Sequence, residues 1–270
     1  MNAKNFKSRS VIQWNKTPCG SSTLKNKKGT REFFEEVIKY RYKVYAPWLR
    51  KIISKEDVKN KKLLEVGCGM GADLLEFAKN GAICTGIDLT PNHVSLAKEL
   101  FKTYGFSARI TKCDAESLSF ADNSFDHVYS HGVIHHTPNT EKALSEIHRV
   151  LKPGGKALIM VYHKNSFAFY GKVVAYHGIL KGKFAGKCTN EILSEVIEEK
   201  SKDTKPLVKV YSKKVFQNML KEIGFNISRI YTHHIMNEKR MTHIRRMLPA
   251  FTIKPLESRF GWYLIAEVFK

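Results

Sequence analysis

The sequence predicts an α/β protein built on a doubly wound, mostly parallel sheet. Two observations predict this fold class. Short apolar runs alternate with amphipathic helical segments over residues 61–163, and such alternation implies right-handed crossovers with helices on both faces of the sheet. Glycine or proline marks the end of each helical segment, as expected at helix C-termini. Ligands of such sheets bind beyond the carboxyl ends of the strands, so these ends are where functional residues are expected.

Each element follows from a local signal. The first strand, KLLEV (62–66), ends at a glycine turn, and the helix DLLEFAKNG stops at Gly81. The second strand, AICTGID, leads to the helix TPNHVSLAKELFKTYG, with Thr90 as its N-cap and Gly105 at its end. SARITKCD and FDHVYSHG are the third and fourth strands. TEKALSEIHRVLKPGG is a helix ended by Pro153 and two glycines, and KALIMVYH is the fifth strand.

The pattern is looser on both sides of this region. The first 30 residues are expected to be loosely held, and the segment after His163 shows one helix near 190–200. SKKVFQNMLKEIGF is a capped amphipathic helix, and NISRIYTHH and GWYLIAEVF are strands. We predict four parts: N-terminal cap and lead-in helices (1–60), a ligand-binding core (61–163), an inserted lid or cap (164–210), and the C-terminal part of the sheet (211–270).

The formal net charge is +21, and its placement is uneven. Residues 61–163 carry 11 basic and 11 acidic side chains, whereas residues 1–60 carry 15 against 5 and residues 164–270 carry 20 against 9. The excess positive charge therefore lies entirely in the flanks. It indicates either a general preference for lysine on solvated surfaces or an anionic partner held by the flanks.

Composition excludes several classes of protein. The sequence shows no run of 18 apolar residues, and its N-terminus has no apolar core typical of a secretory signal. The five cysteines are odd in number and lack C-x-x-C spacing, which argues against a disulfide framework and a zinc site. The histidines likewise lack metal-binding spacing, so we predict no metal and a cytoplasmic protein.

The glycine turn points to a particular ligand. LLEVGCGMG carries Glu65 followed by G-x-G-x-G, unlike the G-x-G-x-x-G of a dinucleotide site or the G-K-[ST] of a P-loop. A carboxylate beside the turn repels phosphate and suits an ammonium group. Asp88 ends the second strand, where it is placed to accept hydrogen bonds from ribose hydroxyls, and Asp114 ends the third, where it is placed to accept from an adenine amino group. These positions predict adenosine joined to an amino acid, without a pyrophosphate; a purely structural glycine turn is the alternative.

The same residues closely resemble the class I S-adenosylmethionine-dependent methyltransferases. The resemblance covers about residues 60–163, with LLEVGCGMGADLLEF, CDAESLSFADNSFDHVYSHGVIHHTP and EIHRVLKPGGKALIM. It implies a Rossmann-like fold with seven strands, the last antiparallel, and S-adenosylmethionine as the cofactor. The flanks, more faintly, resemble the lead-in and the post-insertion helix of a bacterial subgroup of these enzymes.

The resemblance also assigns cofactor-binding residues. The glycine loop lies under the methionine moiety, Asp88 binds the ribose with Leu89 beside the adenine, and the fourth strand ends facing the methionine portion. The implied residues are Glu65, Gly67, Cys68, Gly69, Gly71, Asp88, Leu89, Asp114, Ala115, Ser130 and His131.

Candidates for the methyl-acceptor side follow the fourth and fifth strands. Methyl transfer from a sulfonium needs alignment and exclusion of water, and a general base is useful mainly for hydroxyl acceptors. The predicted catalytic residues are His136, His135, Tyr162 and His163. Their alternative role is packing within the loop and the core.

Four functions remain open from the sequence. The leading one is methyl transfer to a small molecule, with an acidic acceptor as one option. A tRNA methyltransferase is the second, since the glycine loop and the segment around His135 also resemble wobble-uridine methyltransferases and basic flanks suit a polyanion. A non-catalytic protein that binds S-adenosylmethionine is the third. The fourth is an enzyme held on an anionic membrane surface with a lipid or quinone-like acceptor.

Overall fold

The computed structural model describes residues 3–16, 18, 24–197, 206–234 and 250–270. The strands are β1 (Lys62–Val66), β2 (Ile83–Asp88), β3 (Arg109–Lys112), β4 (Phe125–His131), β5 (Leu151–Tyr162), β6 (Asn226–His233) and β7 (Tyr263–Phe269). The α-helices are α1 (Ala3–Lys16), α2 (Arg31–Lys39), α3 (Leu49–Ile53), α4 (Ala72–Lys79), α5 (Pro91–Tyr104), α6 (Thr140–Val150), α7 (Thr189–Ile197), α8 (Lys213–Ile223) and α9 (Ala250–Phe260). Wider π-helical segments run over Tyr40–Tyr45 and Ala168–Leu180.

The seven strands form one sheet in the order β3-β2-β1-β4-β5-β7-β6. Strands β1 to β5 are parallel, and β7 pairs antiparallel with both β5 and β6. The predicted fold class, including the antiparallel last strand, is confirmed. The strand order reverses beside β1, so the carboxyl ends of β1, β2 and β4 border the crevice where such sheets bind ligands.

Two apolar cores lie on opposite faces of the sheet. One packs α4, α5 and the N-terminal helices against the strands, with fully buried Leu74, Leu75 and Phe77 from α4. The other packs α6 and α8, which contribute Ile147 and Phe216. The predicted helical periodicity of these segments is confirmed, because their apolar stripes are the buried faces.

The boundary between α6 and β5 differs from the predicted one. The helix ends at Val150, and β5 begins at Leu151, so Pro153 and the two glycines belong to the strand rather than to a loop before it. These first residues of β5 pair with the residue that follows β7: the backbone N–H of Gly154 donates to the carbonyl of Lys270. Proline is tolerated here because it lies near the beginning of the strand.

The N-terminal region also differs from expectation, because residues 3–16 form a helix docked on α5. Asn15 of α1 accepts a hydrogen bond from the backbone N–H of Asn92 at 3.1 Å and so supplies a cap for α5. Thr90 occupies the N-cap position, but its side chain makes no capping bond. The prediction of Thr90 as the N-cap residue is confirmed, and Asn15 supplies the side-chain acceptor from a distant part of the chain.

Candidate functional site

A cavity opens at the carboxyl ends of β1, β2 and β4, at the predicted edge of the sheet. The glycine turn forms its floor. Backbone N–H groups of Gly67 and Cys68 both donate to the carbonyl of Ile87 at 2.8 Å, which ties the turn to β2. Gly67 has φ +77° and lies so close to Val133 that a Cβ would stand 2.2 Å from its side chain. Gly69, in contrast, has no atom within 4 Å of a Cβ position, so its backbone faces open space.

Asp88 lies at the end of β2 and organises the neighbouring loops. Its Oδ2 accepts from the backbone N–H of Gly69 at 3.0 Å, and its Oδ1 accepts from that of Thr90 at 2.9 Å and lies 3.2 Å from Nδ1 of His93. Burial opposes ionisation of Asp88, but His93 and the two backbone amides outweigh it and lower its pKa. The side chain is therefore a carboxylate that lines the cavity.

Glu65 lies in the cavity wall with one carboxyl oxygen unpaired. It is 4% exposed, and no described group pairs with its Oε2. Burial, with the carboxylates of Asp73 and Asp88 nearby, raises its pKa well above the ordinary value. A buried acceptor without a partner is costly, and a ligand ammonium group would satisfy it.

Asp114 borders the other end of the cavity and is bound by a residue that the sequence did not indicate. Lys7 of α1 donates to Oδ2 of Asp114 at 2.6 Å and to Oε2 of Glu116 at 2.5 Å. The Oδ1 of Asp114 accepts from the backbone N–H of Glu116 at 3.0 Å. Lys7 thus ties α1 across the cavity to the end of β3. No local signal identified it, because the contact joins residues 107 positions apart.

Arg41 and Asp73 form a second arrangement that sequence analysis missed. Arg41 donates to both carboxylate oxygens of Asp73, from Nε at 2.9 Å and from Nη2. Tyr42 and Tyr129 donate their hydroxyls to the same carboxylate at 2.7 and 2.9 Å. Although burial opposes ionisation, Arg41 and these donors lower the pKa of Asp73 to about 2. Both Arg41 and Asp73 line the cavity beside the glycine turn.

His131 contacts the same arrangement from the end of β4. Its Nδ1 lies 3.1 Å from Nη2 of Arg41. Burial, with the guanidinium adjacent, lowers the pKa of His131 to about 3, so the ring is neutral at physiological pH. Because Arg41 only donates, Nδ1 of His131 is the acceptor and the proton resides on Nε2.

His136 and Tyr162 lie in the cavity wall on the predicted acceptor side. Nδ1 of His136 lies 2.7 Å from the carbonyl oxygen of Leu207 and donates there, so the lone pair is on Nε2 whenever the ring is neutral. Trp14 of α1 stands edge-on to His136, with the ring centroids 5.2 Å apart. Helix α1 therefore spans the cavity from the Asp114 end to the His136 end.

Two predicted catalytic residues do not line the cavity. His135 is fully buried, its ring lies 4.0 Å from that of Tyr162 between centroids, and burial lowers its pKa well below the ordinary value. Nδ1 of His163 donates to the carbonyl of Gly261 at 3.0 Å behind β5. These contacts favour packing roles for both.

The cavity brings together most of the predicted cofactor residues. Those in its wall are Glu65, Gly67, Cys68, Gly69, Asp88, Leu89, Asp114, Ala115 and His131. Gly71 lies behind the turn with φ +84°, where a Cβ would stand 3.1 Å from Ala97. Ser130 is fully buried beneath the wall. Across the described ranges, no group of three or more metal-ligating side chains is placed to hold a metal ion, and no helix is long and apolar enough to cross a bilayer.

The central region matches a known family. Residues 64–159 match the family described as "Methyltransferase domain". A sterol 4-C-methyltransferase of Caenorhabditis elegans is 38% identical over 102 residues, which are 37% of this chain and 30% of that protein. A norajmaline N-methyltransferase of Rauvolfia serpentina is 35% identical over 111 residues, 40% of this chain and 38% of that protein. The aligned region thus spans less than two fifths of each of these two relatives.

Solved structures share the fold at low sequence identity. An S-adenosylmethionine-dependent methyltransferase from Mesorhizobium loti has a TM-score of 0.57 at 16% identity, over 82% of this chain and 96% of that chain. The [4+2]-cyclase SpnF has a TM-score of 0.62 at 18% identity, over 98% of this chain and 96% of that chain. The fold, the cavity and the family match together define the central region as a class I S-adenosylmethionine-dependent methyltransferase domain. Its cofactor is S-adenosylmethionine. The resemblance of the flanks to a bacterial subgroup stays a prediction.

Proposed function

We propose that this protein transfers a methyl group from S-adenosylmethionine to a small-molecule acceptor bound beside His136 and Tyr162. The observation that carries the proposal is the continuity of one cavity. Its wall includes Glu65, Asp88 and Asp114, and also the two candidate acceptor-side residues. A cofactor that contacts Glu65, Asp88 and Asp114 would direct its amino-acid end toward His136 and Tyr162.

The chain's own groups fit the cofactor. The buried Oε2 of Glu65 suits the ammonium group, and the open backbone at Gly69 leaves room for the methionine portion. Asp88, held ionised by its neighbours, suits the two ribose hydroxyls. We assign the methionine carboxylate to Arg41, which lines the cavity and has donors beyond those on Asp73 and His131.

The residues around the acceptor have three tasks. When bound, S-adenosylmethionine supplies a methyl group activated by its sulfonium. Trp14 and Tyr162 exclude water from the reacting atoms and restrict the acceptor to an in-line approach. His136, fixed by Leu207, holds a lone pair on Nε2 that takes the acceptor's proton where the acceptor is a hydroxyl or a protonated amine.

The enclosed acceptor end favours a small molecule over a nucleic acid. Trp14 packs edge-on against His136, so an acceptor has to fit beneath α1. For a base within intact tRNA to reach this end, α1 would have to move away, and the contact between Lys7 and Asp114 would break. The names of the relatives above, a sterol and an alkaloid methyltransferase, agree with a small acceptor.

The test is transfer of label from methyl-labelled S-adenosylmethionine. The protein is incubated separately with a small-molecule extract, a lipid extract and bulk tRNA, and Asp88→Ala serves as the cofactor-deficient control. We expect label in a small-molecule or lipid fraction, and its loss in the variant. Label in tRNA would overturn the proposal that the acceptor is a small molecule. No label in any fraction, despite cofactor binding, would favour a non-catalytic protein or a different reaction on this fold.

A further inference from the structure

Exposed apolar side chains are concentrated in one segment of the surface. Of the twelve large hydrophobic side chains exposed in the described part of the chain, six lie between Phe167 and Phe184. The most exposed of all are Leu180 at 77% and Ile179 at 65%. Single exposed apolar residues are normal on proteins, but a contiguous group marks an interaction site.

The geometry of the segment makes these residues one face. The π-helical segment Ala168–Leu180 buries Phe169 and Val173 in the core and turns its other side outward. Tyr176, Ile179 and Leu180 follow one another at helical spacing on that outer side. The ring of Phe184 folds back over Gly178, where a Cβ would stand only 2.1 Å from it. We call Tyr170, Tyr176, Ile179, Leu180 and Phe184 the outer apolar surface.

Lysines outnumber acidic residues in the segment that carries the outer apolar surface. Residues 164–190 include five lysines and no acidic residue. Lys181 lies at the end of the helical segment, with Nζ 5.7 Å from the centroid of the Tyr176 ring. Lys183 and Lys187 share one carboxylate, that of Glu195, so this pairing leaves a net positive charge.

We propose that the outer apolar surface docks on an anionic lipid bilayer. Exposed aliphatic side chains, together with tyrosines, a phenylalanine and lysines in one segment, are the composition of an interfacial membrane contact. Two other occupants fit less well. A second copy would bring a further set of lysines against the first. Single-stranded nucleic acid stacks on aromatic rings and gains nothing from Ile179 and Leu180, the most exposed members.

The surface is connected to the candidate active site. The segment begins a few residues after Tyr162, and Phe169 and Val173 belong to the same apolar core as Tyr162. The docking proposal does not depend on methyl transfer, since lipid binding is measured without turnover.

The test is co-sedimentation of the full chain with vesicles. Phosphatidylcholine vesicles containing about a third phosphatidylglycerol are compared with pure phosphatidylcholine. We expect binding to the anionic vesicles only, weakened about tenfold or more in Ile179→Ser/Leu180→Ser and about fivefold in Lys181→Gln. The matched control, Ile83→Ser/Val215→Ser, removes two exposed aliphatic side chains elsewhere and should bind as the wild type does.

Three outcomes would overturn the proposal. One is no binding of the wild type to anionic vesicles at physiological salt. Another is equal binding by the wild type and Ile179→Ser/Leu180→Ser, with both folded as judged by circular dichroism. The third is a concentration-dependent dimer, detected by light scattering, that the double variant abolishes while vesicle binding is absent; this would assign the surface to self-association.

Discussion

The Nζ atom of Lys7 lies 2.6 Å from Oδ2 of Asp114, so the first helix is joined directly to the side chain that is predicted to hold the adenine. The same ammonium group lies 2.5 Å from Glu116, and it balances two neighbouring carboxylates. These contacts make α1 part of the cavity wall, at the predicted cofactor site, rather than a loose extension. They also place Trp14 over His136 at the other end of the cavity.

Replacing Lys7 should therefore weaken cofactor binding. In Lys7→Met, α1 loses one of its attachments and two carboxylates face each other, so affinity for S-adenosylhomocysteine should fall about fivefold, corresponding to about 1 kcal/mol for a partly exposed ion pair. Calorimetry measures this change. Lys16→Met, which removes an exposed cation from the same helix, should leave the affinity unchanged. Tighter binding by Lys7→Met would instead show that Lys7 competes with the adenine for Asp114.

The pair of Arg41 and Asp73 should dominate the stability of the region around the cavity. Arg41→Met leaves Asp73 buried with only its tyrosine donors, and removing one partner of a buried pair costs about 3–5 kcal/mol. Denaturant unfolding measures the change. Arg50→Met is the matched control, because its pair with Glu76 is half exposed on the arginine side and should contribute less than about 1 kcal/mol. Equal losses of unfolding free energy in Arg41→Met and Arg50→Met would contradict the prediction that the buried pair of Arg41 and Asp73 contributes more.

The same pair predicts a pH dependence. The folded pKa of Asp73 is lowered from 3.8 to about 2, so its contribution to stability is complete above the unfolded value and is lost as pH falls through the folded value. Unfolding free energies of the wild type and Arg41→Met should therefore converge as pH falls from about 4 toward about 2. Comparing the two proteins cancels much of the opposite contribution of Glu65, whose folded pKa is raised. A difference that stays constant over this range would contradict the lowered pKa.

His136 should affect turnover more than binding. His136→Gln keeps a polar side chain but removes the basic Nε2, so kcat should fall about tenfold to a hundredfold if it accepts a proton. Affinity for S-adenosylhomocysteine should stay within a few-fold. A parallel loss of affinity, turnover and melting temperature would mark His136 as a packing residue.

The sequence predicted those parts of the site that follow from strand ends. Glu65, Asp88 and Asp114 each lie within two residues of the carboxyl end of a strand, and parallel strands bring those ends to one edge. Lys7, Trp14 and Arg41 were not predictable in this way. They reach the cavity from N-terminal segments whose docking depends on tertiary contacts, such as the bond between Asn15 and Asn92.

Histidine roles were ambiguous for a related reason. His135 and His136 are neighbours in one short helical turn, and no sequence pattern distinguishes them. The structure separates them because His136 faces the cavity, whereas His135 packs against Tyr162 in the core. The boundary of β5 was similarly hidden, because Pro153 and the glycines are typical of a helix end, whereas in the structure they lie in the first residues of the strand.

Calorimetry of ligand binding tests the central claim most directly, namely that this cavity is an S-adenosylmethionine site. We predict that S-adenosylhomocysteine binds the wild type, that ATP and NAD do not bind comparably, and that Asp88→Ala weakens binding by about 2–4 kcal/mol, because charged hydrogen bonds to the ribose are lost. Asp126→Ala is the control, since its carboxylate also accepts a backbone N–H, that of Lys62 at 2.8 Å, but at the opposite edge of the sheet. ATP bound more tightly than S-adenosylhomocysteine, or equal affinity in the wild type and Asp88→Ala, would contradict the claim.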